Sequence, residues 1–258
     1  RIETSLDDPR FITMEVDGKT MILVVQDGDG PIFVIFYKWT SNEGWQLDRG
    51  FDLSDLSVEG GAAAAISGNA AFVGFPYKYS ASESGTVVVF HRYQTGTWEK
   101  GNPFTLLGPA PGSRYGYDVG IDGNVAFVAT NFFAGFDKII IYRQENNKWA
   151  QLDKFNGRCP CSISGDVILS MKADAWYNQV VQLYKYTADT GACVPLQKPI
   201  PSGYVNQVDS SRDYFLYWDA AASWIDGQNP GKMQMPSYTS MYRREDGNQT
   251  FAFLRQFN

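Results

Sequence analysis

The sequence predicts an all-β protein, and within that class a β-propeller of four-stranded antiparallel blades. A turn of the form Asp/Ser-Gly followed at once by an apolar strand recurs, with glycines at Gly18, Gly68, Gly123 and Gly165 that are 50, 55 and 42 residues apart. Two further strand-like segments follow each copy. No stretch of ten or more residues shows the 3.6-residue apolar period of an amphipathic helix. A repeat of this length with four strands is typical of a propeller blade.

The recurring turn connects the first and second strands of each unit. Asp-Gly, Ser-Gly and Gly-Asn tolerate the positive φ angles of a two-residue hairpin, so the flanking strands are predicted to be antiparallel neighbours. Four copies are clear and a fifth is degraded. They lie at residues 16–19, 66–69, 121–124, 163–166 and 208–211.

A third and a fourth strand complete each unit. The third strand follows a variable loop, at residues 32–37, 86–90, 138–142, 180–184 and 240–242. The fourth strand opens on an aromatic residue in four units and on a cysteine in one: Trp45, Trp98, Trp149, Cys193 and Phe251. The small residues of 60–65 are expected in an inner strand. We predict one domain over residues 1–258, with five blades at about 10–53, 54–107, 108–155, 156–200 and 201–258.

A single four-stranded meander leaves one face and two edges poorly protected, so the units are expected to stack around an axis. The apolar residues of the second and third strands, such as Phe72 and Phe127, would pack between blades. The tryptophans of the outer strands would hold one blade against the next.

The second and third units resemble FG-GAP repeats, the units of integrin α-chain propellers and of many secreted adhesion-type proteins. Gly74-Phe75-Pro76 stands where that family has Gly-Ala-Pro, and Tyr115-Gly116 stands where it has Phe-Gly. The other units match in rhythm but lack both signature tripeptides. The family usually closes with seven blades, whereas five are recognisable here. The five could close a ring, form an incomplete one, or be completed by further chain or another subunit.

The resemblance implies a noncatalytic adhesion, recognition or assembly module that is secreted or displayed at a cell surface. Three alternatives stay open: a lectin-like carbohydrate-binding propeller, a five-bladed glycosidase, and a protomer of an extracellular filament or shell. The implied partner is a protein or a glycan, or further copies of the chain in a homo-oligomer or larger assembly.

Charge and hydropathy exclude two classes of partner. The chain has 28 acidic and 22 basic residues and a net charge of −6, which provides no basic surface for nucleic acid. Its longest apolar stretches, such as residues 32–37, are far shorter than the about 20 residues that span a bilayer.

The residues give little support for catalysis, so we predict that the chain is not an enzyme. His91 is the sole histidine, and no nucleophile pattern surrounds it. A glycosidase needs paired carboxylates, and Asp118 is the one acid that falls within an inner-strand pattern, here Tyr115–Val119.

Aromatic residues in the variable loops are the candidate ligand-binding residues. The loops at 77–84, 131–136, 173–178 and 219–236 combine aromatic rings with Asn, Ser and Asp, which suits a sugar or protein surface. Loops that follow the second strand of successive blades are expected to emerge on one face. The candidates are Tyr77, Tyr79, Phe132, Phe133, Trp176, Tyr177, Trp218 and Trp224.

Three further sites can be named from local sequence. Asp27 and Asp29 alternate with glycines, which predicts a tight turn, with a Ca²⁺ site as the alternative; no other cofactor is expected. Cys193 is the candidate disulfide partner of Cys159 or Cys161, and a zinc site is not expected from this spacing. Asn248 begins an N-glycosylation sequon.

Overall fold

The computed structural model describes most of the chain as strands and turns. The described residues are 8–56, 58–59, 61–78, 84–93, 95–107, 112–131, 137–146, 148–173, 179–187, 192–196, 200–201, 204–210, 214–220, 237–244 and 251–257. The chain divides into two compact units, residues 1–151 and 152–258. Within the described ranges one 3-10 turn, Ser54–Leu56, accompanies the strands, and no helix is long and apolar enough to cross a membrane.

The first unit contains three four-stranded antiparallel sheets. The first sheet has the order β1-β2-β3-β4, with β1 Pro9–Asp17, β2 Thr20–Asp27, β3 Ile32–Thr40 and β4 Gly44–Asp52. A two-stranded ribbon pairs β5 (Val58–Glu59) with β8 (Tyr77–Lys78). The second sheet has the order β6-β7-β9-β10, with β6 Ala63–Ser67, β7 Ala70–Phe75, β9 Thr86–Arg92 and β10 Trp98–Leu107. The third sheet has the order β11-β12-β13-β14, with β11 Asp118–Asp122, β12 Val125–Ala129, β13 Lys138–Glu145 and β14 Lys148–Asn156. The last five residues of β14, 152–156, belong to the second unit.

The second unit contains the fourth and fifth sheets. The fourth sheet comprises β15 Arg158–Ser164, β16 Val167–Ala173, β17 Gln179–Tyr186 and β18 Cys193–Pro195, and β19 Ile200–Pro201 also pairs with β17. The fifth sheet comprises β20 Tyr204–Ser210, β21 Tyr214–Ala220, β22 Ser237–Arg244 and β23 Phe251–Phe257, paired in chain order. Strands β15 and β20, the first of each sheet, lie against each other.

The predicted fold class is confirmed: the described chain consists of antiparallel meanders with the predicted strand order. Four of the recurring turns are two-residue hairpins, because their flanking residues pair directly, as in Asp17 with Thr20 and Asp122 with Val125. Their glycines have φ between +56° and +60°, as the sequence predicts. Two inner-strand boundaries differ. Strand β6 begins at Ala63, so residues 61 and 62 of the expected small-residue strand lie before it. The first strand of the third sheet begins at Asp118, and residues 115–117 form the turn before it.

Aromatic side chains join the three sheets of the first unit face to face. Trp98, on β10, stacks on Phe36 of the first sheet with ring centroids 4.2 Å apart and an interplanar angle of 14°. Trp149, on β14, meets Phe72 of the second sheet edge-on at 4.9 Å. All four side chains are buried. The predicted packing of outer-strand tryptophans against the preceding blade is therefore present at both junctions within this unit.

The first three recurring turns are also joined to one another by hydrogen bonds that the sequence did not predict. The Gly68 amide donates a hydrogen bond to Asp17 Oδ2 at 2.6 Å. One sheet further on, the Gly123 amide donates to Ser67 Oγ at 3.0 Å. Asp17 and Ser67, which precede Gly18 and Gly68, therefore each supply an acceptor to the turn of the next sheet, in addition to shaping their own hairpins.

Three glycines allow the backbones of the second and third sheets to touch. A Cβ atom on Gly74 would lie 2.2 Å from the carbonyl oxygen of Gly116, and one on Gly85 would lie 2.3 Å from that of Tyr115. Gly85 and Tyr115 form a parallel β-bridge at this point. A side chain at Gly74 or Gly85 would require the two backbones to separate.

Shortening Phe72 to alanine is expected to destabilise the first unit by about 3–5 kcal/mol. Phe72 is fully buried and packs on Trp149, so removing its ring leaves a cavity in the core. Urea unfolding followed by tryptophan fluorescence measures the loss. Phe11→Ala is the matched control, since Phe11 is 65% exposed and should change stability little. Equal losses in the two variants would contradict the packing described here.

Gly74→Ala is expected to lower the free energy of unfolding by about 1–3 kcal/mol or more, because the added methyl meets fixed backbone rather than a movable side chain. Calorimetric melting of the two proteins gives the comparison. Gly50→Ala serves as the control: Gly50 lies in β4, and an added Cβ there has no atom within 4 Å. A Gly74→Ala protein that melts like Gly50→Ala would show that the backbones are not in contact.

Candidate functional site

The candidate site lies at one end of the second and third sheets, where β7 leads into the loop before β9 and β12 leads into the loop before β13. It consists of Tyr77, Arg114 and Tyr117, which we call the loop-end patch. Tyr77 is the first residue of β8 and is separated from the end of β7 by Pro76 alone, and Arg114 and Tyr117 precede β11. All three residues belong to the first unit.

The segment that carries Arg114 and Tyr117 is held by both neighbouring sheets. On the side of the second sheet, the Tyr115 amide and the Ser113 hydroxyl both donate to the carbonyl of Ser84, at 2.7 and 2.8 Å. On the side of the third sheet, the amides of Gly116 and Tyr117 donate to the carbonyl of Ala129, at 3.0 and 3.2 Å. The segment is thus a fixed support for the two side chains.

A pair of buried tyrosines links the segment to β13. The hydroxyls of Tyr115 and Tyr142 are 2.6 Å apart, and both rings are buried. Burial raises the pKa of each phenol, and the proximity of Tyr142 raises that of Tyr115 further. Both hydroxyls stay protonated at neutral pH, so the pair acts as a neutral hydrogen-bonded link between the support and β13.

The loop-end patch combines exposed aromatic rings with a guanidinium group. The Arg114 Cζ lies 5.2 Å from the centroid of the Tyr77 ring, which is a cation–π contact. Tyr77 and Tyr117 are each 41% exposed. Arg114 has a φ of +47°, and its carbonyl accepts a hydrogen bond from the Tyr117 amide at 3.1 Å. A non-glycine residue held in this region of φ is a feature that clusters at binding sites.

This arrangement is suited to binding. Tyrosine and arginine are the residues most enriched among those that dominate binding energy in protein interfaces. The planar guanidinium group of arginine both stacks on aromatic rings and matches the geometry of a carboxylate. Of the eight predicted ligand-binding residues, the structure places Tyr77 in this patch. The sequence analysis missed Arg114 and Tyr117, although Tyr117 follows directly on the Tyr115-Gly116 pair it had singled out.

Of the other seven predicted ligand-binding residues, one lies within the described part of the chain. Trp218 lies in β21. The remaining six, together with the glycosylation candidate Asn248, lie outside the described residues: Tyr79, Phe132, Phe133, Trp176, Tyr177 and Trp224. These assignments stay predictions.

Asp27 and Asp29 form the predicted tight turn between β2 and β3. The Gly30 amide donates to the carbonyl of Asp27 at 2.7 Å. Asp27 Oδ1 accepts from the Asp8 amide, and Asp29 forms an exposed ion pair with Arg10 at 2.9 Å. Within the described part of the chain, neither acid belongs to a cluster of three or more groups able to hold a metal ion. The Ca²⁺ site stays a prediction without a third ligand.

His91 is buried near the end of β9 and faces polar neighbours. Its Nδ1 lies 3.3 Å from Gln144 Nε2, and its cross-strand neighbour on β10 is Glu99. Burial lowers the pKa of the imidazole. Asp118, the acid singled out from the sequence, is the first residue of β11, and its Oδ1 accepts a hydrogen bond from the Val119 amide at 3.0 Å.

The three cysteines are present as thiols in the second unit. Cys159 and Cys161 lie on β15, and Cys193 opens β18. The Cys193 amide donates to Asp153 Oδ2 at 2.8 Å. The predicted pairing of Cys193 with one of the other two stays a prediction.

Comparison with known proteins supports the fold class. No protein-family model and no curated protein sequence matches the chain. Among solved structures, a candidate 6-phosphogluconolactonase from Bacteroides uniformis is similar with a TM-score of 0.60 and 10% identity, over 95% of this chain and 69% of that one. The β-propeller domain of the Trilobed protease from Pyrococcus furiosus is similar with a TM-score of 0.56 and 11% identity, over 97% and 72%. At such identities the similarity establishes the fold alone, and that fold is a β-propeller.

The stability of the protein is expected to decrease as the pH falls below about 6.5, the usual pKa of histidine, in a manner that depends on His91. Because burial lowers the pKa of His91 in the folded state, the unfolded chain takes up the proton more readily. Acid pH therefore stabilises the unfolded chain relative to the folded one. The test is the difference in melting temperature between the wild-type protein and His91→Gln at pH 7.5 and at pH 5. The difference should shift in favour of His91→Gln at the lower pH, and a constant difference would exclude this effect.

Proposed function

We propose that this chain is a noncatalytic recognition module, secreted or displayed at a cell surface, that binds a protein partner through the loop-end patch. The observation that carries the proposal is the exposed Tyr77 ring with the Arg114 guanidinium stacked on it. Arg114 belongs to a segment that hydrogen bonds hold to two sheets. A surface ordered before binding loses little conformational entropy when the partner arrives.

The resemblance to FG-GAP repeats agrees with this proposal. Gly74-Phe75-Pro76 and Tyr115-Gly116 are the segments that carry the resemblance, and they meet in space, with Gly74 against Gly116. The same contact positions Arg114 and Tyr117, because Tyr115 and Gly116 lie between them in the chain. The sequence motif and the candidate binding surface are therefore one structural feature.

The chemistry of the patch favours a protein partner that presents a carboxylate beside an apolar group. The guanidinium would pair with the carboxylate, and the two tyrosine rings would cover the apolar group. A glycan with an acidic sugar is the competing ligand class, because it offers a carboxylate beside an apolar sugar face.

The proposal is tested by screening the purified chain against a panel of extracellular matrix proteins and a glycan array, and then measuring each ligand found with single variants. Tyr77→Ala and Tyr117→Ala are each expected to weaken binding about tenfold, the loss of roughly 1.4 kcal/mol that a contributing interface tyrosine supplies. Arg114→Lys, which keeps the charge but not the flat guanidinium, should also weaken it.

Tyr93→Ala is the matched control. Tyr93 is 47% exposed on the same sheet but follows β9, at the opposite end from Tyr77. A ligand that loses as much affinity with Tyr93→Ala as with Tyr77→Ala does not bind at the patch. Binding of neutral glycans alone would favour the lectin-like alternative. Turnover of a sugar lactone or a glycoside by the purified chain would contradict the noncatalytic assignment.

A further inference from the structure

The second unit brings two cysteines into contact on one strand. Cys159 Sγ and Cys161 Sγ are 2.8 Å apart, compared with about 2.05 Å in a covalent disulfide. In a regular strand, residues i and i+2 are separated by about 6.6 Å along the axis, and their side chains stand parallel rather than converging. The two sulfur atoms therefore meet because this part of β15 is irregular.

The irregularity is visible in the pairing of β15 with β16. Arg158 pairs with Met171 and Ser162 pairs with Leu169, so residues 159–161 together stand opposite the single residue Ser170. The extra residues bend the strand at the cysteines. The bend is held in place because the Ser170 hydroxyl donates to the Arg158 carbonyl at 3.2 Å.

The two thiols differ in their access to solvent. Cys159 is partly exposed, whereas Cys161 is 9% exposed and donates its S–H to the Arg158 carbonyl at 3.2 Å. A small oxidant therefore reaches Cys159 first. Cys161 lies behind it, at a distance from which it can attack a sulfur bonded to Cys159.

The third cysteine is unsuited to the same chemistry. Burial and the negative charge of Asp153 raise the pKa of the Cys193 thiol to about 12, so it stays protonated at neutral pH. It lies close enough to Tyr184 to influence the pKa of that phenol, as does Cys161. Cys193 is thus near the pair but is a poor nucleophile.

We propose that Cys159 and Cys161 form a thiol–disulfide exchange site for small disulfides of the glutathione type. The Cys159 thiolate attacks one sulfur of the small disulfide, which forms a mixed disulfide and releases one small thiol. The Cys161 thiolate then attacks Cys159 Sγ, which forms the Cys159–Cys161 disulfide and releases the second small thiol. Two protein thiols and one small disulfide become one protein disulfide and two small thiols, so atoms and electrons balance.

The test equilibrates the whole protein with a series of ratios of oxidised to reduced glutathione, followed by acid quenching, alkylation and tryptic mapping. Trypsin separates the cysteines, since residues 159–172 contain Cys159 and Cys161 and residues 186–212 contain Cys193. The proposal expects an unalkylated 159–172 peptide that is lighter by two hydrogens than the same peptide with both thiols free. Its fraction rises with the ratio of oxidised to reduced glutathione and falls again in reduced glutathione. A cross-link between the two peptides would instead establish the pairing of Cys193 predicted from the sequence, and would overturn the proposal.

Single variants separate the roles of the three thiols. Cys161→Ser is expected to accumulate the mixed disulfide of Cys159 with glutathione, and Cys159→Ser is expected to react far more slowly, because the remaining thiol of the pair is buried. Cys193→Ser is the control and should leave the midpoint ratio of the wild-type protein unchanged to within about twofold. A pair that stays reduced at every ratio, or a wild-type protein that stops at the mixed disulfide, would also overturn the proposal. Calorimetric melting confirms that each variant is folded before it is compared.

Discussion

Two backbones are in contact where the second and third sheets of the first unit meet, and much of that unit depends on this contact. Gly74 and Gly116 permit it because neither carries a side chain that would hold the sheets apart. Close approach lets the apolar faces on either side interdigitate, so that Phe72 is fully removed from water and Trp149 is 6% exposed. Burial of that area provides the main stabilisation of the junction.

The same contact orders the candidate binding surface. Tyr115 and Gly116 are fixed between the sheets, so the residues on either side of them, Arg114 and Tyr117, have little freedom at their backbones. Stability and the proposed recognition therefore depend on the same contact at this end of the unit. A substitution that separates the sheets would be expected to weaken binding as well as folding, and for this reason the binding test uses side chains that lie outside the core.

In the second unit the unusual feature is the pair of cysteines on β15. Its cysteines are close because a strand departs from regular pairing, and the departure is supported by a hydroxyl-to-carbonyl bond from Ser170 to Arg158. Cys193 differs from the pair because burial and the negative charge of Asp153 disfavour its thiolate. Three residues of one type thus have different reactivities because their surroundings differ.

Local sequence determined the strands, the hairpins and the fold class, because the positive φ of each turn glycine and the apolar run that follows it are properties of a few consecutive residues. The tryptophan contacts were also predictable, since they repeat with the blade. Only the tertiary structure decided that Arg114 stacks on Tyr77, that Asp17 accepts from Gly68, and that Cys159 meets Cys161. Each of these depends on the relative placement of separate strands or on a bend within one strand. An offset of one residue in register, or of about an ångström in a strand, would remove them without changing the local pattern.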